Sequence, residues 1–169
     1  MADPKRLVRT RSLDWSQAFH GRHPFNPASD MRIVALSDQV GMQRAHLKLI
    51  RIAPGAESFI PHAHSVEEEY VFILEGQGSL TLDGQATPVG PGDYIGFPID
   101  GVVHHLTNTG ETDLVYLSGG ERSPVEVARM PTLGKIAVFR DNAVSFYPED
   151  GGERLTMAEW IARARIETP

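Results

Sequence analysis

Between residues 31 and 118 the chain divides into seven short runs rich in branched and aromatic side chains: MRIVAL (31–36), AHLKLIRIA (45–53), EYVFIL (69–74), SLTL (79–82), DYIGFP (93–98), VVHHLTN (102–108) and DLVYLS (113–118). Such residues fit the pleated, half-buried surface of a sheet. Turn formers punctuate the runs at Pro54-Gly55, Asp83-Gly84, Gly90 to Asp93 and Asn108 to Gly110, supplying the backbone freedom and short polar side chains that tight reversals need. Strands this short and this regularly spaced predict an all-β chain folded as an antiparallel sandwich or barrel rather than alternating β and α units. Helix is expected only at the edges. One short turn is expected around SLDWSQAF (12–19), and a short amphipathic helix in TMAEWIARARI (156–166), where Thr156 and Glu159 fit a capping box.

With 169 residues, 41% hydrophobic and 22% charged, the chain has the make-up of one soluble domain, and no repeat or low-complexity linker divides it. The absence of cysteine excludes disulfides, thiolate catalysis and cysteine-ligated metals. A cytoplasmic location is the expectation. The amino-terminal stretch MADPKRLVRTRSLDW has basic residues but no apolar run behind them, so no membrane span is expected. A formal net charge of −6 with no lysine or arginine cluster argues against nucleic acid as a partner.

The segment PHAHSVEEEYVFILEG (61–76) sets two histidines two residues apart, then three glutamates, against the most strand-prone run in the chain. Successive side chains on a strand point to opposite faces, so His62 and His64 share one and can reach a common point. Glu69 leads the next strand, where pairing can carry its carboxylate back toward them. Glu67 and Glu68 read as solvated charges in the connection, either being the alternative to Glu69 as a ligand. Imidazole nitrogen with carboxylate oxygen suits a borderline divalent metal such as iron, manganese, nickel, copper or zinc. His104, in another strand, offers a third nitrogen, and the adjacent His105 must face the other way. His20, His23 and His46 read as surface or arm residues, and Asn108 as a turn former in Asn-Thr-Gly.

Taken together these residues resemble the cupins. The first cupin motif is matched by Gly55, His62, His64, Glu69 and Gly76, and the second by Gly92, Pro98, Gly101, His104 and Asn108. One extra residue before His62 and one between Pro98 and Gly101 fall in loops. The resemblance covers roughly residues 45 to 118. It implies a jelly-roll barrel with short peripheral helices, forming the core (45–118) of a single domain (1–169). That core is flanked by an amino-terminal arm with strands (1–44) and by an extension (119–169) ending in a helix. It also implies one divalent transition metal (iron, manganese, nickel or zinc) held by His62, His64, Glu69 and His104.

Four protein ligands on an octahedral metal leave two positions open, enough for a bidentate substrate or for substrate and dioxygen together. The favoured expectation is therefore a metal-dependent, dioxygenase-like oxidoreductase acting on a small oxygen-rich molecule bound in the barrel. The alternatives are a metal-assisted sugar or hydroxy-acid isomerase or lyase, and a non-catalytic module for a small ligand. An isomerase needs a positioned acid or base, for which Tyr94, Asp100 and Tyr116 are candidates, and a phosphorylated substrate needs a cation such as Arg51. Finally, if Glu69, Val71 and Ile73 face inward, Tyr70, Phe72 and Leu74 form an apolar outer face. A homodimer is expected to cover it, unless MRIVAL or the carboxyl-terminal KIAVF does so from within.

Overall fold

All seven expected strands form in the computed structural model, which describes residues 6–152 and 155–164. In chain order the strands are β1 (Phe19–Gly21), β2 (Met31–Ala35), β3 (Ala45–Ile52), β4 (Ala63–His64), β5 (Glu69–Glu75), β6 (Gly78–Leu82), β7 (Gln85–Val89), β8 (Tyr94–Phe97), β9 (His104–Asn108), β10 (Leu114–Glu121), β11 (Val125–Met130), β12 (Lys135–Arg140) and β13 (Ala143–Pro148). Two short helices, α1 (Leu36–Gln39) and α2 (Met157–Ala164), complete the fold. At the start of α2 the Glu159 carboxylate accepts from the Thr156 backbone N–H while Thr156 Oγ1 accepts from that of Glu159, the reciprocal pair of a capping box. The short turn expected within 12–19 is the 3-10 turn Trp15–Gln17, and a second one, Thr10–Ser12, precedes it.

A six-stranded sheet in the order β1-β2-β3-β10-β5-β8 faces a three-stranded one, β7-β6-β9, with every neighbouring pair antiparallel. This is a jelly-roll barrel. Its core is what strand alternation dictates: Met31, Ile50, Ile52, Ile73, Leu114 and Tyr116 from one sheet meet Leu80, Val89 and Leu106 from the other. At the β5–β6 corner Gly76 adopts φ 84°, and a Cβ there would lie 2.4 Å from the Asp113 carbonyl oxygen, so only glycine fits. Asn108, with no exposed surface, donates through Nδ2 to the carbonyls of Ile52 and Thr112 and accepts from the Gly110 N–H. It is the turn former expected, and it also straps β9 to β3.

The sheets reach beyond residues 45–118 on both sides. β1 and β2 extend the large sheet, and β11, β12 and β13 form a separate sheet with β4, the strand of His64, on its edge. MRIVAL therefore lies in the large sheet and KIAVF in the second, and neither crosses the outer face of β5. Cover comes instead from the arm, where Val8, Leu13, Trp15 and Ala18 pack on Val34, Leu49 and Val115. That cover stops short of Phe72 and Leu74, which are 37% and 38% exposed. Among the described residues no helix is long and apolar enough to cross a membrane.

Candidate metal centre

Four separate pieces of backbone deliver the site. His62 and His104 exchange backbone hydrogen bonds (His104 N–H to His62 O 2.9 Å, the reverse 3.2 Å), His64 lies on β4, and Glu69 opens β5. One ligand atom from each of these four residues lies within 4.8 Å of the others, so together they could hold a metal ion. His64 Nε2 is 3.1 Å and His104 Nε2 3.8 Å from the same Glu69 oxygen.

The back of each imidazole is already bonded. His62 Nδ1 donates to the Ile60 carbonyl at 2.7 Å and His104 Nδ1 to that of Val102 at 3.2 Å, while His64 Nδ1 faces Glu126 Oε1 at 3.4 Å. A carbonyl can only accept, so Nδ1 carries the proton and Nε2 keeps its lone pair for the interior. His104 Nε2 is buried without any hydrogen-bond partner, and the His104 ring stacks on Phe97 at 3.8 Å between centroids. A buried nitrogen left unpartnered is costly unless something completes it. Three lone pairs and a carboxylate converging on one point are the donor set of a borderline divalent metal, so the residues fit the ion.

At His62 and Glu69 the electrostatics agree. Burial, then the neighbouring histidines His104 and His64, push the His62 imidazole down to about 3, which keeps it neutral. Burial alone would raise Glu69, but the His104 and His64 rings beside its oxygens and the Ser118 hydroxyl outweigh it and hold the carboxyl well below its usual range. Burial would likewise lower His64, but the Glu69 and Glu126 carboxylates raise it. Ser118 donates its hydroxyl to Glu69 Oε1 at 2.6 Å.

Beyond the ligands, the cavity is lined by Ile50, Phe59, Val71, Phe97, Tyr116 and Ser118. Burial and the Glu69 charge push the Tyr116 phenol well above its ordinary value, so it is a proton-bearing hydrogen-bond donor. Of the other acid-base candidates, Tyr94 is 68% exposed on the outside, and exposed Asp100 accepts from the Val102 N–H in a loop. Arg51 also faces outward, 4.2 Å above the Trp15 ring and ion-paired with Asp113. The same alternation turns His46 and Lys48 inward: β3 pairs them with Gly120 and Ser118 of β10, and Gly120 also pairs with Glu69. His46 is half-buried with Nδ1 unpartnered, and burial followed by the Lys48 charge lowers its pKa. The signal was legible, because Ile50 and Ile52 facing the core place residues 48 and 46 on the same side.

Among the remaining candidates, Glu67 departs from expectation. Glu67 is half-buried and its carboxylate accepts from the Ser123 N–H, so it is no solvated charge, whereas Glu68 is exposed. His20 pairs with Asp30 at 2.7 Å, and His23 lies edge-on to Phe59. His105 is half-buried beside Thr81, on the face of β9 opposite to His104.

The family model for the cupin domain matches residues 48–119. The crystal structure of a proposed sugar phosphate isomerase from Acidithiobacillus ferrooxidans is 31% identical, with TM-score 0.85 over 90% of this chain and 97% of that one. The chain belongs to the cupin superfamily. A second cupin structure, a sugar phosphate isomerase from Silicibacter pomeroyi, is 27% identical with TM-score 0.73, over 87% of this cupin and 98% of that one. An oxalate-binding protein of Thermotoga maritima is 35% identical over 69 residues, 41% of this chain and 55% of its own. The chain spans about half the length of the curated relatives it matches (53% and 55% of the first two).

Proposed function

We propose that this cupin is a metal-dependent isomerase of a small, negatively charged α-hydroxy-carbonyl compound of the sugar-phosphate type. The observation that carries the reading is the inner face of β3 and β10, which sets His46 in register with Glu69 through Gly120 and Lys48 in register with Val71 through Ser118. The two near-full-length likenesses support it. A divalent ion bound by His62, His64, Glu69 and His104 would act as a Lewis acid toward the carbonyl and the adjacent hydroxyl oxygen. His46, neutral and with Nδ1 free of partners, takes the proton from the hydroxyl-bearing carbon and returns it to the former carbonyl carbon, while the hydroxyl proton passes to the former carbonyl oxygen. Tyr116 donates a hydrogen bond to a substrate oxygen, Lys48 receives the anionic group, and Phe59, Val71 and Phe97 keep water out.

A second reading, oxidation by dioxygen, is favoured by the donor set itself, since three imidazoles and one carboxylate suit iron or manganese with adjacent open positions. One experiment separates the two. Protein loaded with manganese, iron, cobalt or zinc is incubated with a panel of aldose and ketose phosphates in deuterium oxide, with NMR detection of isomer and of deuterium at the carbon next to the carbonyl. An oxygen electrode runs in parallel. Isomer with deuterium incorporation, lost in His46→Asn, is expected. Oxygen uptake without isomer would replace the isomerase by the oxidative reading, and neither signal with any loaded form would leave a binding module.

We further propose a homodimer formed through Phe72 and Leu74, the part of the outer face that the arm leaves uncovered. Light scattering at micromolar concentration should give twice the chain mass and Phe72→Lys the single mass; a wild-type monomer would refute it.

A further inference from the structure

Glu126 sits in the carboxyl-terminal extension, far in sequence from the four ligands, yet its carboxylate is bound up with one of them. It lies on β11, where Glu126, Ala128 and Met130 form the buried face, 5%, 2% and 4% exposed. A carboxylate in such a row is expensive unless its oxygens are satisfied. Here they are: Oε1 accepts from the Ser65 N–H at 3.1 Å and faces His64 Nδ1 at 3.4 Å, and Oε2 accepts from the Glu67 N–H at 2.8 Å. β11 reinforces the contact by pairing with β4, Ala128 opposite His64. The loop between His64 and Glu69 is thus held along its length by the segment 121–126, since the Glu67 carboxylate accepts from the Ser123 N–H and the Glu68 N–H donates to Glu121.

We infer that Glu126 is a positioning residue of the metal centre: it fixes the proton of His64 on Nδ1, aims Nε2 at the ion, and sets the spacing between His64 and Glu69. Three contacts carry this, one on the ring and two on the loop that joins two ligands. A carboxylate behind a ligating imidazole raises its basicity and locks its orientation, and removing such a partner weakens metal binding about 10–100-fold. The inference rests on the four-residue site proposed above but not on any reaction there.

The test is metal affinity, measured by competition with a chelator for zinc and cobalt, in wild type, Glu126→Gln and Glu126→Ala. Glu126→Ala is expected to bind about 10–100-fold more weakly. Glu126→Gln, which keeps a neutral acceptor for the ring but loses one for the loop, should fall between. Thermal unfolding of the metal-free proteins tells loss of fold from loss of affinity. Long-range proton–nitrogen NMR of the zinc-loaded proteins supplies a readout that loop support alone would not move: the His64 Nδ1–H signal should be sharp in wild type and exchange-broadened in Glu126→Ala. Unchanged affinity and an unchanged His64 signal in a folded Glu126→Ala would overturn the inference. Wild-type protein that binds neither metal would instead end the site reading beneath it.

Discussion

Residues 61–76 and residues 121–130 lie against one another in the fold, and each brings carboxylates to the same few ångströms of space, yet they do different work. In the first, Glu69 points into the barrel between His64 and His104. In the second, Glu126 stays behind the ring of His64 and touches backbone rather than the cavity. A carboxylate facing converging lone pairs is a ligand. One that accepts from a ligand's far nitrogen and from loop amides is a clamp. Position relative to the imidazole plane, not residue type, separates the roles.

The largest effect that could break this comparison comes from the first segment. His62→Ala should lower metal affinity more than about 100-fold, beyond the range of outer partners, and leave metal-free thermal unfolding little changed, because the barrel core around Ile52, Ile73, Leu80 and Leu114 lies away from the site cavity. Competition titration and a melting curve check both. A folded variant with full affinity would remove His62 from the ligand set.

How much of this was legible follows the same division. Strand positions and the inward alternation of Glu69, Val71 and Ile73 were readable because period-two patterning and turn glycines are local signals, whereas the grouping of His104 with His62, His64 and Glu69 came from the motif resemblance. The second segment was not. In VEVARM a glutamate occupies a place in the alternation where burial calls for an apolar side chain, and only the β4 partner, known from tertiary pairing, explains it. Strand β13 is exposed along its whole length, and β7 is exposed up to its last residue and carries Pro88, so neither presents an alternating buried face in sequence. Arg51 was the candidate cation for a phosphorylated substrate, but with Ile50 facing the core, one step along the strand puts Arg51 on the opposite face.

Asn108→Ala probes the frame rather than the ligands. It strands the Ile52 and Thr112 carbonyls and the Gly110 N–H and should cost about 1–3 kcal/mol in chemical denaturation, with metal affinity in the folded fraction unchanged. Weakened affinity in folded protein would mean that the barrel strap and the site are coupled.

Glu67→Ala sharpens the contrast at close range. Its carboxylate bonds to Ser123 rather than to any ligand, so affinity should fall less than the roughly 10-fold lower bound for outer partners. A loss as large as that of Glu69→Gln would make Glu67 the ligand instead. Arg51→Ala should do least: it removes a cation–π contact and a partly exposed ion pair, together about 1 kcal/mol of stability, and leaves metal binding and isomerisation untouched. Loss of activity with a phosphorylated substrate alone would return Arg51 to the site.

The central claim is that His62, His64, Glu69 and His104 form one site for one divalent ion. Equilibrium dialysis against manganese, iron, cobalt and zinc, followed by elemental analysis of wild type and His104→Ala, tests it most directly. The account predicts one tightly held ion per wild-type chain for at least one of these metals, and its loss in a folded His104→Ala. Wild-type protein that retains none of the four, or His104→Ala that retains a full equivalent, would contradict it.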